Sequence, residues 1–330
     1  MLYKLSIFSV VVLMALSFCD FPCDGYATKA EQGKNAQIFK KNDIDIFRVV
    51  LVGDSDQKAF VSLSDIYHDT LPVPAKYIAN QKNIAFKDLK HVELDNSYRA
   101  KLTSETKISE TDTMFLYDYK YNKLAKIPVK QLKAVAYLTP YAHKDQTFSY
   151  SDYRIGFELD KSVLQQSLAN YYDNVFVYLG NKNPFTQEKM QLVRWQQINA
   201  KEFPKTFSTK GVKKGNYTIG KHYKFKSANI IYYVQDILFN GRTEKRRLIA
   251  VDSSSNKIMV EKEFSTSEGI SLAPLNFIED NDLENQWAGN LFKNKPPVIF
   301  GFEYHSFGCP SLILVGKTHN NIPTNCDNRH

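Results

Sequence analysis

The chain has 330 residues, of which 43% are hydrophobic and 24% are charged, and its formal net charge is +8. This composition is typical of a globular protein and excludes a chain that is disordered throughout. At this length we expect one large domain or two modest ones.

The first 27 residues have the layout of a secretory signal peptide. Lys4 gives a positive start, residues 5–18 are apolar, and Gly25-Tyr26-Ala27 places small residues around a cleavage site. The apolar run spans about 21 Å as a helix, which is less than the ~30 Å hydrocarbon core of a bilayer. An earlier cut is the alternative, and it would leave Cys19 and Cys23 in the mature protein. We therefore predict an exported protein, periplasmic or secreted, whose mature chain has no transmembrane segment.

The residue pattern after position 27 predicts a mainly β protein. Residues 28–45 are polar and are predicted to be a flexible lead-in. Beyond them, short segments rich in β-branched and aromatic residues end at Gly, Pro, Asn, Asp or Ser, as strands do. The predicted strands are 47–52, 114–119, 134–138, 153–159, 175–179, 191–198, 230–239, 247–251, 257–264, 297–304 and 311–315. The clearest helix candidate is 161–172, where Val163, Leu164 and Leu168 share a face.

Helical crossovers between these strands are mostly missing, so we predict antiparallel sheets in a sandwich-like or irregular arrangement with few helices. The segments 115–127 and 249–261 share one pattern, namely strand, Asp, three residues, Asn-Lys, strand. Each predicts a hairpin tip, because the Asp carboxylate accepts turn N–H groups and Asn tolerates the left-handed backbone. A β-propeller is the alternative fold, although two copies do not make a regular repeat.

A polar stretch at residues 140–152 lies between two strand-rich regions and suggests a boundary. It divides the chain into an N-terminal β-rich region, 46–145, and a C-terminal β-rich region, 146–330. A shift in composition is the whole basis of this division.

A lysine-rich segment is the strongest functional signal. Residues 201–226 contain eight lysines and a single acid, Glu202, and the lysines alternate with aromatic rings near the end of the segment. One interpretation is a solvated edge strand, in which lysines discourage aggregation. The other is a binding surface for an anionic envelope component or an acidic protein. Its predicted binding residues are Lys210, Lys213, Lys214, Lys221, His222, Lys224 and Lys226. Nucleic acid is the less favoured partner, because an exported protein meets it less often.

A catalytic alternative rests on Ser55, Asp327 and His330. Gly-Asp-Ser follows an apolar strand near residue 55, as in some esterases, and Asp327 and His330 would supply the orienting carboxylate and the base. Against it, such hydrolases alternate strands with helices, and the chain shows no such alternation. We predict no catalytic residues other than this alternative set, and no cofactor.

The closing cysteines are predicted to form a disulfide. Exported proteins meet oxidising conditions, so Cys309 and Cys326 should pair and should stabilise the fold by about 3 kcal/mol. Zinc is the alternative, with His319 and His330 as further ligands, but the four residues lack the close spacing of compact zinc sites.

Glu303 and His305 lie on one face of a predicted strand, which permits metal pairing. We interpret the two as a polar pair near a sheet edge and predict no metal site. The function that fits these observations is an exported, non-enzymatic binding protein of the inhibitor or immunity type.

Overall fold

The computed structural model describes residues 44–52, 58–160, 172–204, 216–277, 283–306, 308–316 and 321–327. These residues all belong to one unit, Asn42–His330.

The described strands coincide with most of the predicted apolar segments. In chain order they are β1 (Ile46–Arg48), β2 (Val50–Val52), β3 (Lys58–Ser62), β4 (His91–Glu93), β5 (Thr113–Asp118), β6 (Lys123–Pro128), β7 (Lys133–Leu138), β8 (Tyr153–Asp160), β9 (Val175–Gly180), β10 (Gln191–Leu192), β11 (Gln196–Ile198), β12 (Tyr217–Ser227), β13 (Ile230–Phe239), β14 (Arg242–Asp252), β15 (Ile258–Ser265), β16 (Ile270–Leu272), β17 (Trp287–Gly289), β18 (Val298–Phe300), β19 (Glu303–His305), β20 (Ser311–Leu314) and β21 (Asn321–Asn325).

The described α-helices are short and lie in the first half of the chain. They are α1 (Lys76–Ala79), α2 (Phe86–Lys90) and α3 (Asn96–Thr106). The Asp95 carboxylate caps α3 by accepting hydrogen bonds from the backbone N–H groups of Ser97 and Tyr98. Residues 161–171 of the predicted helix lie outside the described residues. Among the described residues, no helix has the length and the apolar character needed to cross a membrane.

The named strands form four sheets. A nine-stranded sheet has the order β10-β17-β18-β20-β21-β1-β9-β5-β6, and β16 pairs with β19. The two five-stranded sheets have the orders β2-β3-β8-β7-β4 and β11-β12-β13-β14-β15. We call them the β2–β4 sheet and the β11–β15 sheet, after the strands at their two edges. Among the pairs of named strands in the described ranges, β1 with β21 is parallel and the others are antiparallel. The predicted mainly β, antiparallel fold is therefore confirmed, and its sheets differ from the four-stranded blades of a propeller.

Each five-stranded sheet packs on one part of the nine-stranded sheet. Leu116 and Val177 of the nine-stranded sheet share a core with Val61 and Phe157 of the β2–β4 sheet. In the second half of the chain, Ala288, Ile299 and Ile313 share another core with Val234 and Leu248 of the β11–β15 sheet. This layering buries both five-stranded sheets on one face, which is the sandwich-like arrangement that the sequence predicts.

The nine-stranded sheet curls strongly. β17 and β5 are six strands apart, and six spacings of about 4.8 Å would separate them by about 29 Å in a flat sheet. Yet the ring of Tyr119, one residue beyond β5, lies 5.3 Å from the ring of Trp287 on β17, centroid to centroid. Tyr119 also contacts Phe176 and Phe300, at 5.1 and 5.2 Å. The curl thus encloses an aromatic core on the concave face.

The strands on either side of residue 146 are neighbours. β7 and β8 pair from Lys133 to Leu138, and β9 pairs with both β1 and β5. The sheets therefore join the two regions that composition separates at residues 140–152.

Both predicted hairpin tips are confirmed. Asp118, at the end of β5, accepts hydrogen bonds from the N–H groups of Lys120 and Tyr121, each at 3.0 Å. Asp252, at the end of β14, accepts them from Ser254 and Ser255 at 2.9 and 3.0 Å. The asparagines that close the two turns, Asn122 and Asn256, have φ angles of 53° and 52°, the left-handed conformation that Asn tolerates.

A buried carboxylate organises the outer face of the β2–β4 sheet. Glu158 on β8 lies 2.6 Å from Lys58 Nζ and 2.9 Å from His91 Nε2, and it accepts a hydrogen bond from the Tyr137 hydroxyl. Burial alone would raise the pKa of Glu158, but the hydrogen bonds from His91, Lys58 and Tyr137 outweigh it and lower the pKa to about 2. This carboxylate is therefore charged over the whole physiological pH range.

Candidate functional site

The lysine-rich segment is described from residue 216 onward. Lys221, His222, Lys224 and Lys226 lie on β12, whereas Lys210, Lys213 and Lys214 lie outside the described residues. β12 lies between β11 and β13 in its sheet. Where β11 pairs with it, the segment therefore forms an inner strand.

His222 belongs to the protein interior. It is 7% exposed, its Nε2 lies 2.8 Å from the side-chain nitrogen of Gln235, and the Phe203 ring packs against it. Burial lowers the pKa of His222, and Asp236 acts in the opposite direction. The Gln235 amide and the His222 ring are thus hydrogen-bond partners, and which of them donates depends on the tautomer of the ring.

The lysines of β12 differ in their surroundings. Lys224 forms an ion pair with Glu202 at 3.0 Å, the single acid of the segment. Lys221 and Lys226 are exposed. Lys221 lies at a β-bulge, where Gly220 and Lys221 both stand opposite one residue of β13, between the pairs Ile219–Ile237 and His222–Gln235.

Apolar side chains accompany the cations at one end of this sheet. Tyr217 pairs with Phe239 across β12 and β13, with ring centroids 5.0 Å apart. Ile219 and Phe239 are 39% and 38% exposed, which is high for such side chains. Arg242 is exposed directly opposite Phe239, across the tight turn to β14. We call the group Tyr217, Ile219, Lys221, Phe239 and Arg242 the basic-aromatic end.

Ile219, Phe239 and Arg242 were not among the binding residues predicted from the sequence. A usable signal was present, because Asn240-Gly241 between them is the commonest dipeptide of two-residue hairpin turns. Both residues have positive φ, 49° and 80°. Apolar residues beside a turn have the same pattern as core residues, so their exposure became visible only in the fold.

The predicted disulfide is confirmed. Cys309 and Cys326 are bonded, with their Cα atoms 5.6 Å apart and 17 positions apart in sequence. The bond joins the start of β20 to the end of β21. Because the two sulfurs are bonded to each other, they are not the thiolate ligands that the zinc alternative needs. His319 and His330 lie outside the described residues.

Asp327 of the catalytic alternative is buried beside the β2–β4 sheet. Its Oδ2 accepts a hydrogen bond from Ser62 Oγ at 2.6 Å and lies 3.8 Å from Arg154 Nε, and its backbone N–H donates to Asp65 at 2.8 Å. Ser55 and His330 lie outside the described residues. The observed contacts of Asp327 tie the residue after the disulfide to β3 and β8.

Glu303 and His305 share a face of β19, with Glu303 Oε2 3.7 Å from His305 Nε2. The described residues contain no group of three or more His, Cys, Asp or Glu side chains that could hold a metal ion.

Comparisons of this chain with protein-family models, with curated proteins and with solved structures found no match.

Proposed function

We propose that this is an exported binding protein that docks an acidic protein partner on the basic-aromatic end of the β11–β15 sheet. One observation supports it most directly: the exposed apolar side chains Ile219 and Phe239 and the exposed cations Lys221 and Arg242 occupy the same end of the β12–β13–β14 hairpins. Exposed apolar groups that lie together mark interaction surfaces more often than scattered ones do.

The two kinds of side chain have separate roles in such a contact. Lys221 and Arg242 attract an acidic surface and raise the rate of encounter. Phe239, Ile219 and Tyr217 supply apolar area that leaves water when the partner binds. Lys226 is a further exposed cation of the same strand. Lys210, Lys213 and Lys214 remain predicted contributors.

Export is part of the proposal. It is supported by the signal-peptide layout of residues 1–27 and by the Cys309–Cys326 disulfide, a bond that forms and persists outside reducing compartments. An inhibitor or immunity-type role suits a protein that offers surface and no assembled catalytic set in its described residues. The hydrolase alternative gains no support from Asp327, whose carboxylate binds Ser62.

The proposal is tested by charge reversal. The double variant Lys221→Glu/Arg242→Glu is compared with wild type in a pull-down from envelope extract, and any protein recovered is then titrated against both. We expect at least a tenfold loss of affinity, because like charges facing each other oppose docking. Raising salt from about 0.1 M to about 1 M should also weaken the wild type, since the Debye length falls from about 10 Å to about 3 Å.

A matched control exists in another sheet of the fold. Lys123 and Lys126 are exposed lysines of β6, the edge strand of the nine-stranded sheet. The variant Lys123→Glu/Lys126→Glu changes the net charge equally and should bind as wild type does. Equal losses in both double variants, or no loss in the first, would refute the assignment to the basic-aromatic end. Phe239→Ser separates the apolar contribution, since it removes ring area without changing charge.

A further inference from the structure

A cleft of about 340 Å³ opens between the nine-stranded sheet, the end of β15 and the β16–β19 pair. This volume lies at the lower end of the ~300–1,000 Å³ range of small-molecule sites. Two cations, Arg48 and Lys262, and two carboxylates, Glu263 and Glu303, line it. The lining therefore carries both signs of charge and is balanced overall.

Arg48 provides the cationic end. Its guanidinium donates to the backbone carbonyl of Asp173, hydrogen-bonds the Tyr119 hydroxyl and lies 5.2 Å from the centre of the Phe176 ring. No carboxylate of the described residues lies within ion-pairing distance of Arg48. A guanidinium has five N–H donors in a fork that matches a carboxylate. Arg48 therefore has N–H donors beyond those that bind Asp173 and Tyr119, and these can bind an anionic group in the cleft.

Tyr119 supports this end. Burial raises its pKa to about 12, with Arg48 acting in the opposite direction. The phenol therefore stays protonated at neutral pH and remains able to donate a hydrogen bond beside the guanidinium.

Glu303 provides the anionic end. Among the described residues its one ion-pair partner is His305, whose Nε2 lies 3.7 Å from Oε2, beyond hydrogen-bond distance. Its side chain is 25% exposed, and burial raises the pKa of Glu303 while His305 and Lys262 oppose the rise. Glu263 differs, because Lys245 at 3.1 Å and Arg247 at 3.8 Å already compensate it. Glu303 is thus the carboxylate of the cleft that lacks a hydrogen-bonding cation.

Apolar side chains form other parts of the cleft walls. Phe176, Phe300, Leu312 and Ile313 line them and are almost fully buried. Gly301 shapes the wall between β18 and β19. Its φ is +89°, and a Cβ at this position would lie 1.8 Å from the Asn285 carbonyl oxygen. Only glycine allows the two backbones to approach so closely.

We infer that this cleft binds a small zwitterion of the amino-acid class, with its carboxylate at Arg48, its ammonium at Glu303 and an apolar side chain against the walls. Opposite charges at separate points of a lining that is balanced overall match a ligand that is itself neutral but charge-separated. Each end would gain a charge-assisted hydrogen bond, which is about twice as strong as a neutral one. A sugar fits less well, because the aromatic rings pack against one another and offer little open face for stacking. This inference is independent of the proposed partner surface.

Calorimetric titration of the full mature chain tests it, with leucine, phenylalanine and their dipeptides as probes. N-acetyl-leucine lacks the ammonium, and leucine amide lacks the carboxylate. We expect saturable binding of at least one zwitterion. Each derivative that lacks one of the two charges should bind at least tenfold more weakly. Glu303→Gln should weaken the zwitterion at least tenfold and leave the N-acetyl derivative unchanged. Arg48→Met should weaken the zwitterion and leave the amide unchanged, as a pairwise cycle requires.

Glu93→Gln is the matched control, since Glu93 is an exposed carboxylate on β4, and it should bind as wild type. Thermal unfolding without ligand checks that each variant folds, and Glu303→Gln carries the test alone if Arg48→Met does not fold. Absence of saturable binding by every probe up to about 1 mM, the weak end of the affinity scale, would overturn the inference. So would a Glu303→Gln variant that binds the zwitterion as wild type does, or that loses the N-acetyl derivative by the same factor.

Discussion

Glu158→Gln should remove a pH-dependent part of the stability of this protein. The Glu158 side chain is 2% exposed, and its carboxylate contacts Lys58, His91 and Tyr137. The substitution keeps the size of the side chain and removes its charge. Because the three partners come from β3, β4 and β7, the change acts on the pairing of the whole β2–β4 sheet.

The magnitude follows from the pKa. The pKa of Glu158 is about 2 in the fold, against 4.5 for an ordinary glutamate, and each unit is worth about 1.4 kcal/mol. The charged carboxylate therefore stabilises the fold by about 3 kcal/mol at neutral pH. A lowered folded-state pKa gives stability that is complete above the unfolded pKa and is lost as pH falls through the folded pKa. About half of it should be gone near pH 3.

Urea unfolding of wild type and Glu158→Gln at pH 7, 5 and 3 measures this contribution. The free-energy difference between the two proteins should be about 3 kcal/mol at pH 7 and at pH 5, and should fall to about half of that at pH 3. Glu93→Gln serves as the control, since Glu93 is exposed on the strand that carries His91, and its effect should stay within about 0.5 kcal/mol. A difference that is the same at pH 7 and pH 3 would show that Glu158 stabilises by packing and not by charge.

Two further substitutions probe the C-terminal half. Replacing Cys309 and Cys326 together by serine should lower the free energy of unfolding by about 3 kcal/mol, since the bond closes a loop of this length in the unfolded chain; the same stability in oxidised wild type and the variant would contradict this. Gly301→Ala should destabilise more than Gly241→Ala, because a Cβ at 301 meets the Asn285 carbonyl at 1.8 Å whereas one at 241 meets no atom within 4 Å. Both positions have positive φ, so thermal unfolding of the pair isolates the clash, and equal losses would refute it.

Features set by neighbouring residues could be predicted from the sequence. β5, β7, β8, β9, β13 and β14 lie where runs of β-branched and aromatic residues place them, because the side-chain alternation of a strand is local. The tips at Asp118 and Asp252 were also predicted, since Asp and Asn satisfy a turn through bonds that span two or three residues. The Cys309–Cys326 bond could be predicted because paired cysteines in a chain with a signal-peptide layout favour a disulfide.

Helix α3 shows where local patterns fail. Leu102 is its one buried residue, so the helix has no apolar stripe to produce a helical period. The one sequence signal for this helix is Asp95, whose carboxylate caps its N-terminus. The predicted strand 191–198 consists of two strands in the structure, β10 with two residues and β11 with three. The local pattern does not show this division, because the two strands pair in different sheets.

The tertiary structure alone decided which distant residues meet. The sequence determined that the protein is made of short antiparallel strands with defined turns, since these depend on alternation and on residues a few positions apart. Nothing local brings Arg48 into one cleft with Glu303, or Lys58 and His91 to Glu158. Those encounters depend on the parallel pairing of β1 with β21 and on the curl of a nine-stranded sheet, where strands from both ends of the chain share one backbone ladder. Such a pairing stabilises the fold only when the remote strand is in place, so no short stretch of sequence predicts it.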